Sequence, residues 1–187
     1  CFKERPPYNS NLQSRRYWWG SQGMKFNNSK KNKFLENFPT ASFDSDNCNH
    51  ASRSKFNFSY FDSSQEAGQD FCSWTHEQLH KLLHKLVEFT KHPLSYWMHQ
   101  RVGGGGLKIL EIYGGFPSRS DFHHPKHIPK NVQWARFRLE GDMRLIGFII
   151  PSELDGKISK ANTNFSFCGN TFYIVFLDET HRFYKTK

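Results

Sequence analysis

Paired cysteines and long apolar runs are both missing from this chain of 187 residues. The four cysteines are scattered, with no C-x-x-C pair, at Cys1, Cys48, Cys72 and Cys168. This spacing argues against a disulfide framework or a zinc finger and favours a reducing compartment. No apolar run approaches the length of a membrane-spanning helix, and the first residues lack the apolar core of a secretion signal. We therefore expect a cytoplasmic protein without a membrane partner.

Acidic residues are also scarce. The chain has 17 Asp and Glu against 26 Lys and Arg, a formal net charge of +9. Much of the excess lies in residues 1–55, which hold ten basic and four acidic residues. A basic chain favours nucleic acid or another anionic surface as its partner, and a basic solubilising tail is the alternative.

Residues 1–54 are rich in Asn, Ser, Lys and Arg and show no sustained helical or strand period. Such a composition buries little apolar surface, so we predict a basic, irregular N-terminal arm that orders on the main domain or on a partner. Within it, the segment RRYWWG at residues 15–20 has the cations and rings that bind single-stranded nucleic acid. Packing of its two tryptophans on the domain is the alternative. Residues 55–187 are assigned to one domain.

The first half of this domain predicts a strand and two helices. A strand is indicated at residues 55–62, where aromatic and polar residues alternate. A capping box of Thr75 and Gln78 begins a helix that ends at His92. A shorter helix is predicted from Pro93 to about Gln100. Glycine, proline and polar residues indicate loops at Gly103–Gly106, 116–131 and 151–170, with a short strand at 107–113 between the first two.

Three apolar segments, residues 133–140, 143–150 and 171–178, predict an antiparallel sheet. Glu140, Gly141 and Asp142 fit a three-residue hairpin loop with a left-handed glycine. This loop pairs Leu139 with Met143 and Phe137 with Leu145, and a one-residue slip would mix apolar and charged faces. The register gives one apolar face: Ala135, Phe137, Leu139, Met143, Leu145 and Ile149. The other face carries Arg136, Arg138 and Arg144.

Two C-terminal segments complete the predicted fold. Residues 171–177 are almost wholly apolar, which is typical of a central strand covered on both faces. A final edge strand is predicted at residues 181–185. The order of elements indicates an α+β fold, an antiparallel sheet with two helices packed on one face.

Two histidine groups could bind a metal. His76-Glu77-x-x-His80 matches a zinc-peptidase helix motif, but Lys81 and the exposed flank favour a solvated, histidine-rich helix. A loop carries His123, His124 and His127, which could hold a metal, transfer protons or be polar loop residues. We predict no metal and no cofactor, with a zinc metallopeptidase as the third-ranked hypothesis.

The arginine face and the C-terminal tail together favour phosphate chemistry. A guanidinium group matches phosphate geometry, although a solvated outer face is the alternative. The tail supplies His181, Arg182 and Tyr184. One such group could take the proton of a ribose 2′-hydroxyl while arginines stabilise the phosphorane, so RNA cleavage would need no metal. An ordinary edge strand is the alternative for the tail.

In its element order, its basic hairpin RFRLEGDMRLIGF and its tail FYIVFLDETHRFY, the chain resembles the RelE/ParE-like toxins of bacterial toxin-antitoxin systems. The resemblance covers about residues 55–185, with long inserted loops. It departs from the family pattern in Tyr184, which lies only three residues after His181. It implies a small sheet with helices on one side, messenger RNA cleavage in the ribosomal decoding site, and an antitoxin that covers the basic face.

The resemblance also implies a site. The catalytic residues would be Arg144, His181, Arg182, Tyr184 and His127, with His124 as an alternative to His127. The expected nucleic-acid contacts are Arg136, Arg138, Lys126, Lys130 and Lys185. The leading hypothesis is thus a metal-independent endoribonuclease of toxin type with RNA and an antitoxin as partners. The second is a non-catalytic nucleic-acid-binding or antiphage accessory module.

Overall fold

A computed structural model describes residues 29–36, 43 and 48–185. The chain divides into two compact units between Ser42 and Phe43. In the first unit the described residues form helix α1, Ser29–Glu36. The aromatic and basic segment at residues 15–20 lies outside the described residues. Ser54 belongs to the second unit, where its backbone N–H and its hydroxyl donate to the carbonyl of His92 at 3.1 and 2.7 Å.

The described part of the second unit has an α+β fold, which confirms the predicted class. Its helices are α2, His76–Phe89, and α3, Leu94–His99. Its strands are β1 Lys55–Asn57, β2 Arg101–Val102, β3 Leu107–Lys108, β4 Leu110–Gly114, β5 Gln133–Arg138, β6 Arg144–Ile149 and β7 Thr171–Asp178. Short 3-10 turns lie at His50–Ser52, Phe71–Ser73, Gly103–Gly105 and Ser152–Leu154.

Five strands form the main sheet in the order β1-β7-β6-β5-β4. The pairs β7-β6, β6-β5 and β5-β4 are antiparallel, whereas β1 pairs with β7 in parallel. The prediction of a wholly antiparallel sheet was therefore wrong. Strand direction is constrained when a tight turn joins two strands, and β1 and β7 lie at opposite ends of the domain sequence. Strands β2 and β3 form a separate hairpin around the glycine run.

Helices α2 and α3 cover one face of the main sheet, as predicted. The capping box at Thr75 is present: its hydroxyl accepts from the backbone N–H of Gln78 at 3.2 Å, and the Gln78 amide oxygen accepts from the backbone of Thr75 at 2.8 Å. The buried core between helices and sheet contains Leu82, Phe89, Leu94, Trp97, Ala135, Phe137, Leu145 and Ile149. Apolar burial against the sheet stabilises these helices more than their intrinsic propensity does.

The predicted hairpin register is confirmed. Phe137 pairs with Leu145, the backbone N–H of Leu139 donates to Met143 at 3.1 Å, and Gly141 has a left-handed φ of 55°. Strand β7 lies between β1 and β6 and is almost wholly buried, so its central position is confirmed too. A second core on the far face contains Phe122, Trp134, Ile146, Phe148, Phe176 and Phe183.

Three predicted strands were wrong in extent or kind. The one predicted at 107–113 is divided into β3 and β4, which belong to different sheets. The one predicted at 55–62 ends at Asn57, because a turn follows in which Phe61 donates to the carbonyl of Phe58. The tail at residues 181–185 is not a strand. The Asp178 carboxylate accepts the backbone N–H groups of Arg182 and Phe183, both at 2.9 Å, and folds the tail back. Among the helices of the described ranges, none is long and apolar enough to cross a membrane.

Gly147 offers a test of this sheet. A Cβ at this position would lie 2.1 Å from the carbonyl oxygen of Tyr173 and 2.6 Å from the Phe172 ring. Backbone cannot yield as a flexible side chain does, so we expect Gly147→Ala to lower the free energy of unfolding by about 3 kcal/mol, measured by urea denaturation. Gly104→Ala is the control, because a Cβ there meets nothing within 4 Å. Equal unfolding midpoints for the two variants would contradict the β6-β7 packing.

Candidate anion site

The hairpin register brings three arginines together on the face opposite α2 and α3. Arg138 on β5 lies beside Arg144 on β6, which lies beside Asp178 on β7. Arg136 lies two residues earlier on β5, on the same face, and pairs in register with Glu111 on β4. We call Arg136, Arg138 and Arg144 the arginine cluster. The sequence predicted this grouping from the alternation of faces along one hairpin.

The arginine cluster is recessed, so the interpretation as a solvated outer face was wrong. Arg136 is 7% exposed and Arg144 is 3% exposed, and Arg138 is half-buried. The Nε atoms of all three, together with Nη1 of Arg136, are buried and have no hydrogen-bond partner among the described residues. Buried polar atoms are nearly always paired, since an unpaired donor costs free energy. The cluster therefore has buried N–H donors that the oxygens of an anion could accept.

Few acidic groups offset this charge within the described residues. One Nη atom of Arg136 lies 3.3 Å from the Glu111 carboxylate, and Nη1 of Arg144 donates to the backbone carbonyls of Gly141 and Met143 at 2.7 and 2.8 Å. Burial, followed by repulsion from Arg138 and Arg136, lowers the pKa of Arg144 to about 10. Arg144 remains cationic at neutral pH, so the site carries concentrated positive charge.

The tail brings His181 close enough to the arginine cluster for the charges of Arg144 and Arg136 to act on it. Asp178 is fully buried, and its two bonds to the backbone of Arg182 and Phe183 turn the chain immediately after β7. His181 has a left-handed φ of 60°, which is rare for a residue other than glycine and is typical of functional segments held by their surroundings. Burial, then the charges of Arg144 and Arg136, lower the pKa of His181. This shift favours the neutral imidazole at pH 7, the form that can accept a proton.

Other tail residues expected in the site have structural partners. The Arg182 guanidinium lies 2.9 Å from the Asp121 carboxylate, and Lys185 also pairs with Asp121. These ion pairs tie the tail to the loop at 115–132. Tyr184 is 41% exposed, and its ring stacks on Tyr113 with centroids 4.8 Å apart. Arg182 and Lys185 thus hold the tail in place, whereas Tyr184 lies at the rim.

His127 lies in a different part of the domain from the one expected. Its ring stacks on Tyr60 at 6.0 Å, and Tyr60 in turn contacts Phe148. Phe148 is four residues beyond Arg144 on β6, or about 13 Å along the strand. Lys126 and Lys130 are exposed on the same loop as His127. The expected joint action of His127 with Arg144 is therefore not supported by the loop's path.

The histidine groups do not form a metal site in the described residues, which contain no cluster of three potential His, Cys, Asp or Glu ligands. His76 and His80 are exposed on α2, and the carboxylate of Glu77 pairs with Lys81 at 2.9 Å. His124 packs on Trp134 with ring centroids 5.5 Å apart. The residues of the zinc-peptidase motif therefore form a solvated helix flank.

Sequence reasoning missed two residues near the arginine cluster. Asp178 was read as the end of a strand, yet it is the group that turns the tail. Tyr113 was read as part of a short strand, yet the centroid of its ring lies 5.9 Å from Cζ of Arg136. The alternation of side chains along a strand could have revealed Tyr113. It lies two residues after Glu111, the partner of Arg136, and therefore on the same face of the sheet.

No family model, curated protein or solved structure matches the chain. The resemblance to RelE/ParE-like toxins thus rests on the sequence motifs alone.

The titration of His181 tests the electrostatics of this site. Its imidazole pKa should lie below the ordinary value of 6.5 in the folded protein, measured by NMR. Unfolded His181 then binds its proton at higher pH than folded His181. Its contribution to the free energy of unfolding should therefore be constant above pH 6.5 and fall as the pH drops from 6.5 to the folded pKa.

Arg144→Met should raise the pKa of His181 toward 6.5, because it removes the charge that has the largest effect on that pKa. Arg119→Met is the matched control, since Arg119 is exposed in a loop and does not act on His181. A wild-type pKa at or above 6.5, or equal shifts in both variants, would contradict this arrangement.

Proposed function

We propose that the chain is a metal-independent endoribonuclease that holds an RNA phosphodiester at the arginine cluster. The observation that carries this proposal is the set of buried guanidinium N–H groups without partners beside the neutral imidazole of His181. Phosphate oxygens suit such donors, because charge-assisted hydrogen bonds from arginine to phosphate are short and strong.

The neutral imidazole favours RNA as the substrate. RNA carries its own nucleophile, the 2′-hydroxyl, and His181 as a general base would take its proton. The 2′ oxygen then attacks phosphorus, the bond to the 5′ oxygen breaks, and that oxygen takes a proton from water, so that a 5′-hydroxyl and a 2′,3′-cyclic phosphate remain. Arg144, Arg136 and Arg138 would stabilise the extra negative charge of the phosphorane, so the step requires no bound metal.

The toxin-like features of the proposal come from the sequence resemblance. A RelE/ParE-like arrangement would make messenger RNA the substrate, with the ribosome as a possible site of action. An antitoxin would then cover the basic face and neutralise the protein. In this arrangement Arg144 and His181 act on the phosphate, while Arg182 and Lys185 position the tail through Asp121.

A non-catalytic nucleic-acid-binding or antiphage accessory module is the second candidate. The depth of the arginine cluster favours it, because Arg136 and Arg144 are more than nine-tenths buried and could hold a phosphate without leaving room for an in-line attack. Both candidates use the same donors and differ in whether a product forms.

Cleavage of labelled messenger RNA separates the two. In the presence of EDTA, wild-type protein should cut RNA, either free or in a translating extract, and leave 2′,3′-cyclic phosphate ends. Arg144→Ala/His181→Ala should lower the rate at least about a hundredfold, since it removes a donor to the transition state and the general base.

Arg53→Ala/His99→Ala is the matched control, because it removes one exposed arginine and one exposed histidine elsewhere. It should cut at the wild-type rate. Undiminished cleavage by Arg144→Ala/His181→Ala would overturn the site. Stable RNA binding that weakens steeply with salt, with no product, would instead establish the binding module.

A further inference from the structure

We infer that the phenol of Tyr113 donates a hydrogen bond to a non-bridging oxygen of the bound phosphate and so completes the donor set of the arginine cluster. The inference deepens the proposed function and rests on it for the identity of the ligand as an RNA phosphodiester. Tyr113 would be a fourth donor to the phosphate, supplied by strand β4.

Tyr113 lies at an irregularity in strand β4, on the face that carries the arginines. Ile112 pairs with Ala135 and Gly114 pairs with Trp134, so Tyr113 is an extra residue without a partner on β5. Such a bulge bends a strand and re-aims a side chain, and bulges are common next to functional sites. The result is a tyrosine ring 5.9 Å from the guanidinium carbon of Arg136.

The hydroxyl of Tyr113, like the Nε atoms of the arginine cluster, is buried without a well-formed hydrogen bond. Its oxygen is buried and, like Nε of Arg136, Arg138 and Arg144, makes no hydrogen bond of standard geometry in the described part of the chain. The guanidinium of Arg136 lies close enough to interact with this oxygen, which leaves the phenol O–H free to donate. A buried tyrosine hydroxyl normally finds a partner. A tetrahedral phosphate offers several acceptor oxygens, so one bound phosphate would accept hydrogen bonds from all four of these neighbouring side chains.

The protonation state of Tyr113 suits a donor and not a base. Burial raises its pKa above the ordinary value of 10, and the charge of Arg136 and its hydrogen bonding to the phenol oppose that rise only in part. The phenol therefore keeps its proton at neutral pH. It can donate to a phosphate oxygen, while the acceptance of the 2′-hydroxyl proton remains with His181.

The ring of Tyr113 is held in place before any ligand binds. It stacks on Tyr184 with an interplanar angle of 4°. Tyr184 is fixed in turn by its neighbour Lys185, whose backbone N–H donates to the carbonyl of Arg119 at 3.1 Å and whose side chain pairs with Asp121. A donor that is already fixed needs little reorganisation when negative charge develops on the phosphate.

The test compares Tyr113→Phe with Tyr96→Phe, an exposed tyrosine on α3. Binding of inorganic phosphate is measured by calorimetry and RNA cleavage by its kcat and KM. Tyr113→Phe should weaken phosphate binding about tenfold, as expected for a hydrogen bond to a charged group, and lower kcat. Its melting temperature should equal or exceed that of wild type, because the variant removes an unsatisfied hydroxyl. Tyr96→Phe should leave all three measurements unchanged.

The outcomes separate this inference from the proposed function. Intact RNA together with a tenfold loss of phosphate affinity would overturn the endoribonuclease and support Tyr113 as a donor. Active wild-type enzyme with unchanged phosphate affinity and kcat in Tyr113→Phe would support the function and overturn the inference. If Tyr113→Phe does not fold, the ring signals of Tyr113 in wild-type protein decide by NMR. They should shift and saturate with added phosphate, and unchanged signals would overturn the inference.

Discussion

The candidate site depends on the buried carboxylate of Asp178, which is the one buried acidic side chain of the described residues. It ends the central strand β7 beside Arg144 in the sheet. Both of its oxygens accept backbone N–H groups of the tail, so it forms no close ion pair with the arginines. The same bonds turn the chain, bury Phe183 and set His181 against the cluster. Loss of Asp178 would therefore release the imidazole and leave the arginines without a nearby buried anion.

The arginine cluster concentrates positive charge on one face of the sheet. Three cations lie on one face with a single carboxylate, that of Glu111, within ion-pair distance among the described residues. Their mutual repulsion and desolvation lower the free energy of unfolding, and a bound anion would offset both. Burial and then the same positive charge lower the pKa of His181, so features that would attract a phosphate also favour a neutral imidazole within their range. Functional sites often carry such a cost in stability.

Local rules predicted the hairpin and the helix start, because each depends on residues close in sequence. The loop at Gly141 fixed which residues share a face, and so grouped the arginine cluster correctly. The parallel pairing of β1 and the turn capped by Asp178 depend on contacts between residues distant in sequence, which periodicity does not reveal. His127 was assigned to the site from its residue type, but the path of its loop sets its position against Tyr60.

The central claim is that the arginine cluster binds a phosphodiester, and the arginine Nε–Hε signals of wild-type protein test it most directly. A 2′-deoxy dinucleotide, which lacks the attacking hydroxyl, is titrated into 15N-labelled protein and followed by NMR. The account predicts that the signals of Arg136, Arg138 and Arg144 shift together and saturate at one ligand per chain, while that of the exposed Arg119 stays in place. Unchanged signals from all three arginines at saturating dinucleotide would contradict it.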